Sequence, residues 1–194
     1  ANFVEKHVDI LAMNEEEGLA ITGFEDPLLA ADKALDWVDL VICTAGEKGL
    51  FMAGYVDEQL KRETEYTLLP GAIPDFNRYE FSRAMRKADC DDPIRAYSHT
   101  APFMGGPDSI KNTNGAGDCA LAAVLHDLSA NVYHKINVSN SAKHQQKAIT
   151  YSSLSQISKY ANRASFEVLV QHSPRLSRGL PEREDCLELV YWDK

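Results

Sequence analysis

Val8 to Met13 is an apolar run without helical period, and it stops at the polar group Asn14-Glu15-Glu16-Glu17. The run predicts a strand, and Glu17 to Gly23 predicts a short helical segment after it. Asp26 to Trp37 has a capping acid, proline at the first helical position, and Leu28, Leu29, Ala31 and Leu35 on one side. That is the pattern of a helix start and an apolar stripe. Val38 to Cys43 is apolar and rich in β-branched residues, as in a strand of a parallel sheet buried on both faces. It stops at Thr44 to Gly49, and Leu50 to Val56 predicts a further strand. Strand, helix, strand is the order of a doubly wound, mainly parallel α/β sheet flanked by helices. Such sheets take ligands beyond the carboxyl ends of their strands, which puts Asn14–Glu17 and Thr44–Gly49 on the ligand side.

From about Tyr55 to Ile110 the pattern is lost. This stretch has several prolines, a charged run at Glu58–Glu65 and one plausible helix at about Asn77–Ala88. Most of it, about 57–108, reads as a surface insertion. Asn114 then opens a helix of small and apolar residues running to about Ala130. A long helical region follows at about Ser141–Val170, broken once, and Glu182–Leu189 predicts a last short helix. Without internal repeats, residues 1–194 read as one domain.

Bulk composition narrows the function classes. With 20 basic and 29 acidic residues the net charge is −9, so the chain has no general attraction for nucleic-acid backbones. A polyanionic ligand would have to be held by backbone N–H groups, a metal ion and a few local cations. Cys43, Cys90, Cys119 and Cys186 are far apart, with no C-x-x-C pair. This argues for a reducing, cytoplasmic setting without disulfides or structural zinc. The six histidines have no metal-ligand spacing. No apolar run reaches membrane-spanning length, and no signal peptide is visible. The opening at Ala1, directly in extended-looking sequence, is expected of a fragment or a processed piece.

The chemistry concentrates in Asn112-Thr113-Asn114-Gly115-Ala116-Gly117-Asp118, followed at once by the small-residue helix. Two glycines separated only by Ala116 permit a tight turn and close approach of a ligand to the backbone. The N–H groups of Gly115, Ala116 and Gly117 can then converge at a helix N-terminus, a ready anion site. A carboxylate one residue on is placed to accept a proton rather than to bind the anion itself. Phosphoryl transfer needs these two parts together. The same residues also fit an ordinary Asn-Gly turn with a first-turn acid, and the run matches G-x-G-x-x-A. For a dinucleotide site, no clean strand leads into it and Tyr133–Asn140 offers no ribose-binding acid. No G-x-x-x-x-G-K-[ST] loop exists.

Thr113 to Asp118 matches the D-T-x-G-A-G-D signature of the ribokinase-like carbohydrate and nucleoside kinases, and other phrases resemble that family in the right order. Val8–Glu17 resembles its strand and N-x-x-E motif, and Val41–Gly49 resembles its strand and T-x-G-x-x-G loop. Ala161-Asn162-Arg163-Ala164 resembles its A-N-A-A element, and Gly179–Glu184 resembles its closing segment. Pro102–Asp108 and Ser173–Asp185 are similar to the branch that phosphorylates inosine and guanosine.

The resemblance implies the ATP-binding, catalytic C-terminal part of a ribokinase-like kinase acting in purine salvage, with a purine nucleoside as acceptor. It implies Asp118 as the base and Gly115, Ala116 and Gly117 as the anion hole. Thr44, Gly46, Lys48 and Gly49, with Asn114 and Asn162, would border the nucleotide. Asn14 and Glu17 would order Mg2+ and its waters. In relatives the first signature residue is an acid that helps form a monovalent-cation site. Here it is Asn112, whose neutral amide weakens the case for K+, although carbonyl oxygens could still hold the ion. The resemblance also implies an N-terminal half outside these residues, carrying the acceptor pocket, and leaves a homo-oligomer open. The alternatives are another sugar or nucleoside acceptor within the family, a non-catalytic nucleotide-binding fragment, and an oxidoreductase domain.

Overall fold

The computed structural model describes residues 2–63, 73, 78–102 and 107–183. Among these, four strands form one sheet in the order β1 (Ile10–Asn14), β2 (Leu40–Thr44), β3 (Leu50–Asp57) and β4 (Pro93–Thr100). β1 and β2 are parallel, with Ile10 opposite Leu40 and Asn14 opposite Thr44. β3 runs antiparallel to both β2 and β4. The described sheet is therefore mixed, not mainly parallel. The β1–β2 connection contains helices and can reverse direction twice, whereas residues 45–49 make a tight turn that can join only antiparallel neighbours.

Five α-helices accompany the sheet: α1 (Asn2–His7), α2 (Glu15–Thr22), α3 (Pro27–Ala34), α4 (Ala116–Asn137) and α5 (Leu154–Leu169). β2 alternates between the two faces. Leu40 and Ile42 point into a core with Ala120, Ala123 and Val124 of α4 and Leu154, Ile157, Ala161 and Val168 of α5. Val41 and Cys43 point the other way, onto Leu28, Ala31 and Ala34 of α3. Leu40, Ile42, Leu154 and Ile157 are wholly buried, and each contributes roughly 1.5–3 kcal/mol relative to exposure. α2 lies on α3, with Gly18 so close that an added Cβ would stand 3.4 Å from the Ala30 methyl.

Caps explain where most helices begin. Asp26 accepts from the N–H groups of Leu28 and Leu29 ahead of Pro27. Ser153 accepts from Gln156 N–H and starts α5 there, not near Ser141. The preceding residues hold only a 3-10 turn at Ala142–His144. α4 continues past Ala130 to Asn137. The stretch expected as a helix at 77–88 holds no α-helix among its described residues, only the start of a 3-10 turn at Lys87–Asp89. Ala84 N–H is bound by the Thr150 hydroxyl and Met85 N–H by the Tyr55 carbonyl, which pulls it out as an isolated bridge. Next to it Arg83, 4% exposed, donates to the carbonyls of Thr150 and Lys143 and to Asn131 Oδ1.

Pro93–Thr100, expected to be irregular, is a strand of the sheet, with Ala96, Tyr97 and Ser98 buried. The helix expected at Glu182–Leu189 falls almost entirely outside the described residues.

One flank stays uncovered by the described residues. β1 pairs only with β2 among the described residues. Beside it, α4 exposes Leu125, Val132 and Ile136 by 47%, 60% and 75%, and α2 exposes Leu19 and Ile21. No described helix is long and apolar enough to cross a membrane.

Candidate active site

Asn14, Thr44, Leu50 and Thr100 are register partners across the four strands, so one end of the sheet presents them in a row. The N-terminus of α4 meets this row: a Cβ added to Gly117 would stand 3.8 Å from Thr44 Oγ1. Gly115, Ala116, Gly117, Asp118, Thr44 and Asn14 thus come from distant parts of the chain to one edge of the sheet.

α4 starts differently from α2, α3 and α5. Gly115 occupies its N-cap with φ 82°, a left-handed conformation, and no side chain caps the helix. The first N–H with a protein partner is that of Cys119, which donates to the Gly115 carbonyl at 2.9 Å. Among the described residues the N–H groups of Gly115, Ala116 and Gly117 donate to no protein acceptor. Three adjacent unspent amides carry the positive end of a 22-residue helix, the arrangement that binds oxyanions. Asp118 lies in the first turn, solvent-exposed and without an ion pair among the described residues. A group with donors for developing negative charge and an adjoining proton acceptor can move a phosphoryl group to an alcohol.

The loop ahead of the amides is tied to the C-terminal end of α5. Lys111 and Asn112 donate their N–H groups to the Leu169 carbonyl at 2.8 and 3.3 Å. Asn112 Oδ1 accepts from Asn114 N–H at 3.0 Å, and Asn112 Nδ2 donates to the His172 carbonyl at 3.2 Å. An added Cβ on Gly115 would meet the Pro174 carbonyl at 2.4 Å. Ser165 also donates to the Ala116 carbonyl at 2.8 Å. Residues 172–174 therefore form a wall of the site; sequence reasoning marked Ser173–Asp185 as a resemblance but gave it no place beside the amides. No local pattern could have paired segments so far apart.

Thr44–Gly49 makes the opposite border. Ala45 N–H donates to the Gly49 carbonyl at 2.8 Å, and His99 Nε2 lies 2.7 Å from the Lys48 carbonyl. Gly49 has φ 94°, and a Cβ there would come within 2.1 Å of the Thr100 carbonyl, so the loop is pressed onto the end of β4. The same end is held from the other side, where Asn162 Nδ2 donates to the Ala101 carbonyl at 2.8 Å. Gly46 has φ 47°, its missing Cβ 4.0 Å from a Glu15 oxygen. Cys43 beneath the loop is a buried thiol whose pKa is pushed up to about 12, chiefly by burial, so it is inert at neutral pH.

Lys48 reaches 2.6 Å from Glu15, and this hydrogen bond holds its ammonium charged above the usual range. Lys48 therefore rests on an acid at the β1 end. Asn14 and Glu17 form a reciprocal capping box: Asn14 Oδ1 accepts Glu17 N–H at 2.8 Å, and Glu17 Oε2 accepts Asn14 N–H at 2.9 Å. Asn14 keeps Nδ2, a donor, and Glu17 keeps Oε1, while Glu16 and Glu17 are exposed. The carboxylate oxygens suit Mg2+ held through waters, the usual manner for that ion, and the Asn14 amide can donate to phosphate. No group of three or more His, Cys, Asp or Glu among the described residues could enclose a metal. Monovalent K+ fits less well, because Asn112 turns an N–H toward the His172 carbonyl.

No family model matches the chain. Over 192 residues it is 66% identical to guanosine-inosine kinase of Escherichia coli K12. The match covers 99% of this chain and 44% of that protein, so the chain spans less than half the length of the curated relative. Among solved structures it resembles ribokinase from Thermotoga maritima, with TM-score 0.52 and 16% identity over 98% of this chain and 45% of that one. It also resembles adenosine kinase from Sinorhizobium meliloti, with TM-score 0.50 and 18% identity over 98% and 40% of the two chains. The fold is ribokinase-like, and the sequence is similar to guanosine-inosine kinase along nearly its whole length.

Proposed function

We propose that this ribokinase-like chain is the phosphate-donor part of a purine nucleoside kinase, a protein that moves the γ-phosphoryl group of ATP to the 5′-hydroxyl of inosine or guanosine in purine salvage. The observation that carries the reading is the trio of unspent amides at Gly115–Gly117 immediately before Asp118. Its 66% identity to guanosine-inosine kinase supports the acceptor class. The acceptor pocket would lie in the remainder of the protein, packed on the uncovered flank of β1 and α4. Residues between β3 and the Asn112 loop, apart from β4, would be an elaboration of the donor part. Buried thiols such as Cys43 suit a reducing cytoplasm.

In this mechanism the acceptor hydroxyl lies between Asp118 and the γ-phosphorus. Asp118 takes the hydroxyl proton as the bond from the 5′-oxygen to phosphorus forms and the bond to the β,γ-bridging oxygen breaks, leaving ADP. The amides of Gly115, Ala116 and Gly117 bind the phosphoryl oxygens, whose charge shifts during transfer. Mg2+, when bound, neutralises the polyphosphate. Asn14 and Glu17 would orient its waters, and Glu15 holds Lys48 nearby. Thr44, Gly46 and Gly49 leave room along the nucleotide, Asn114 closes the loop above it, and Asn162 steadies the 100–101 corner.

The test is Asp118→Asn in the full-length protein, assayed with ATP and a panel of nucleosides and sugars. Turnover should fall roughly 10²–10⁴-fold, the scale of a general base, with ATP affinity nearly unchanged and inosine and guanosine the preferred acceptors of the parent. Undiminished turnover in the variant would remove Asp118 from the chemistry.

A further inference from the structure

The helix behind the three amides has no side-chain cap, and its loop is tied to the Leu169 carbonyl and to residues 172–174. Asn112 makes the second tie: one end of its amide holds the loop and the other the His172 carbonyl. Its orientation is fixed by chemistry: Asn114 N–H can only donate, so the atom it meets at 3.0 Å is the oxygen Oδ1. The nitrogen then faces the His172 carbonyl at 3.2 Å, where it donates. Nearby, the Pro174 carbonyl closes on Gly115 to within 2.4 Å of where a Cβ would sit.

A carboxylate at position 112 would keep the first bond and lose the second. Its second oxygen would confront the His172 carbonyl, acceptor against acceptor. The natural remedy for such a pair is a cation between them. With an amide, the donor is covalently built in.

We propose that Asn112 is a positioning residue that holds the amide loop against residues 172–174 by a neutral two-sided bridge, doing with an N–H what an acid at this position could do only with a bound monovalent cation. The proposal builds on the functional reading of the Gly115–Gly117 amides, but its structural half does not require that reading. The bridge sets the spacing of the loop from α5, and through Gly115 it sets where the amides point.

The test compares full-length wild type, Asn112→Asp and Asn112→Ala in KCl, NaCl and tetramethylammonium chloride at equal ionic strength. Two measurements are made: the thermal midpoint, and the kcat and KM for ATP. In tetramethylammonium, Asn112→Asp should lose at least tenfold in kcat/KM and show a lowered midpoint. K+ should restore much of both, by a larger factor than it changes wild type. Asn112→Ala should be impaired in all three salts. If the Asp variant matches wild type without K+, or if its deficit is the same in every salt, the bridge is refuted. Midpoints that follow this pattern while no variant phosphorylates any nucleoside would support the bridge and count against the kinase reading, so the two failures are separable.

Discussion

Gly115 and Gly117 are two residues apart in the same loop-to-helix junction, yet their replacement by alanine should have opposite physical signatures. Gly115 has φ 82°, where an L-residue costs about 1–2 kcal/mol. Its new methyl would also lie 2.4 Å from the Pro174 carbonyl and 3.2 Å from the Pro174 Cβ. Backbone cannot rotate aside as a side chain can, and overpacking of this kind costs roughly 1–3 kcal/mol. Gly115→Ala should therefore destabilise by about 2–5 kcal/mol, the sum of those two ranges. Gly117 is not in a left-handed conformation, and its methyl would meet only Thr44 Oγ1 at an ordinary 3.8 Å. In the first turn of α4, Gly117→Ala should be neutral or stabilising by up to about 1 kcal/mol. The methyl would nonetheless enter the space beside the amides and lower kcat/KM sharply. Chemical denaturation and steady-state kinetics on the full-length protein separate the two effects. A Gly115→Ala protein as stable as wild type, or a Gly117→Ala protein with full activity, would refute this account of why both positions are glycine.

Two further outcomes concern the rest of the molecule. Arg83→Ala leaves the buried carbonyls of Thr150 and Lys143 without this donor, and at about 1–3 kcal/mol each should cost roughly 2–6 kcal/mol. Urea titration checks this. The pH profile of stability should fall at both ends. Burial, reinforced by His134 2.5 Å away, lowers the pKa of His144 below 6.5, so the unfolded chain takes up more protons and stability drops as pH falls through and below that value. Cys43 is raised from 9.0 to about 12, so stability it contributes is complete below 9 and is lost as pH rises toward 12. Midpoints measured across pH for His144→Gln and Cys43→Ala should flatten the acid and alkaline limbs respectively.

How legible all this was depended on whether the deciding forces were local. β1, β2, β3 and α3 were readable because their apolar spacing, and the Asp26-Pro27 start, are properties of contiguous residues. The Asn112–Asp118 run was readable because glycine spacing and the adjoining acid encode backbone geometry directly. β4 was not, because its inward positions are not plainly apolar: Ser98 is buried, and Tyr97 and Arg95 turn to Asp32 on α3, at 2.6 Å in each case. A strand whose inward polar side chains, here Arg95 and Tyr97, are bound by another element looks irregular until that element is in place. The mixed sheet followed from the same oversight, since β4 and the 45–49 turn set its direction. Residues 141–153 were read as part of a long helical region at about Ser141–Val170. In the structure their backbone instead serves Arg83 and Asp127, whose carboxylate accepts from Tyr151 and Ser152 N–H. The resemblance marked Ser173–Asp185, but its place against the amide loop was not legible, for the plainest reason: nothing in either segment names the other.

The bare flank along β1 and α4 bears on how such a chain can be inherited. Ile136 stands eighteen residues beyond Asp118, about 27 Å along α4 at 1.5 Å per residue, too far to touch the chemistry. A gene fusion or truncation that stripped the cover from Ile136, Val132 and the open strand would yield a polypeptide that clumps with its own kind, whatever the state of its catalytic loop. On the proposed reading these positions would serve solubility and joint folding with the cover, apart from the catalytic loop.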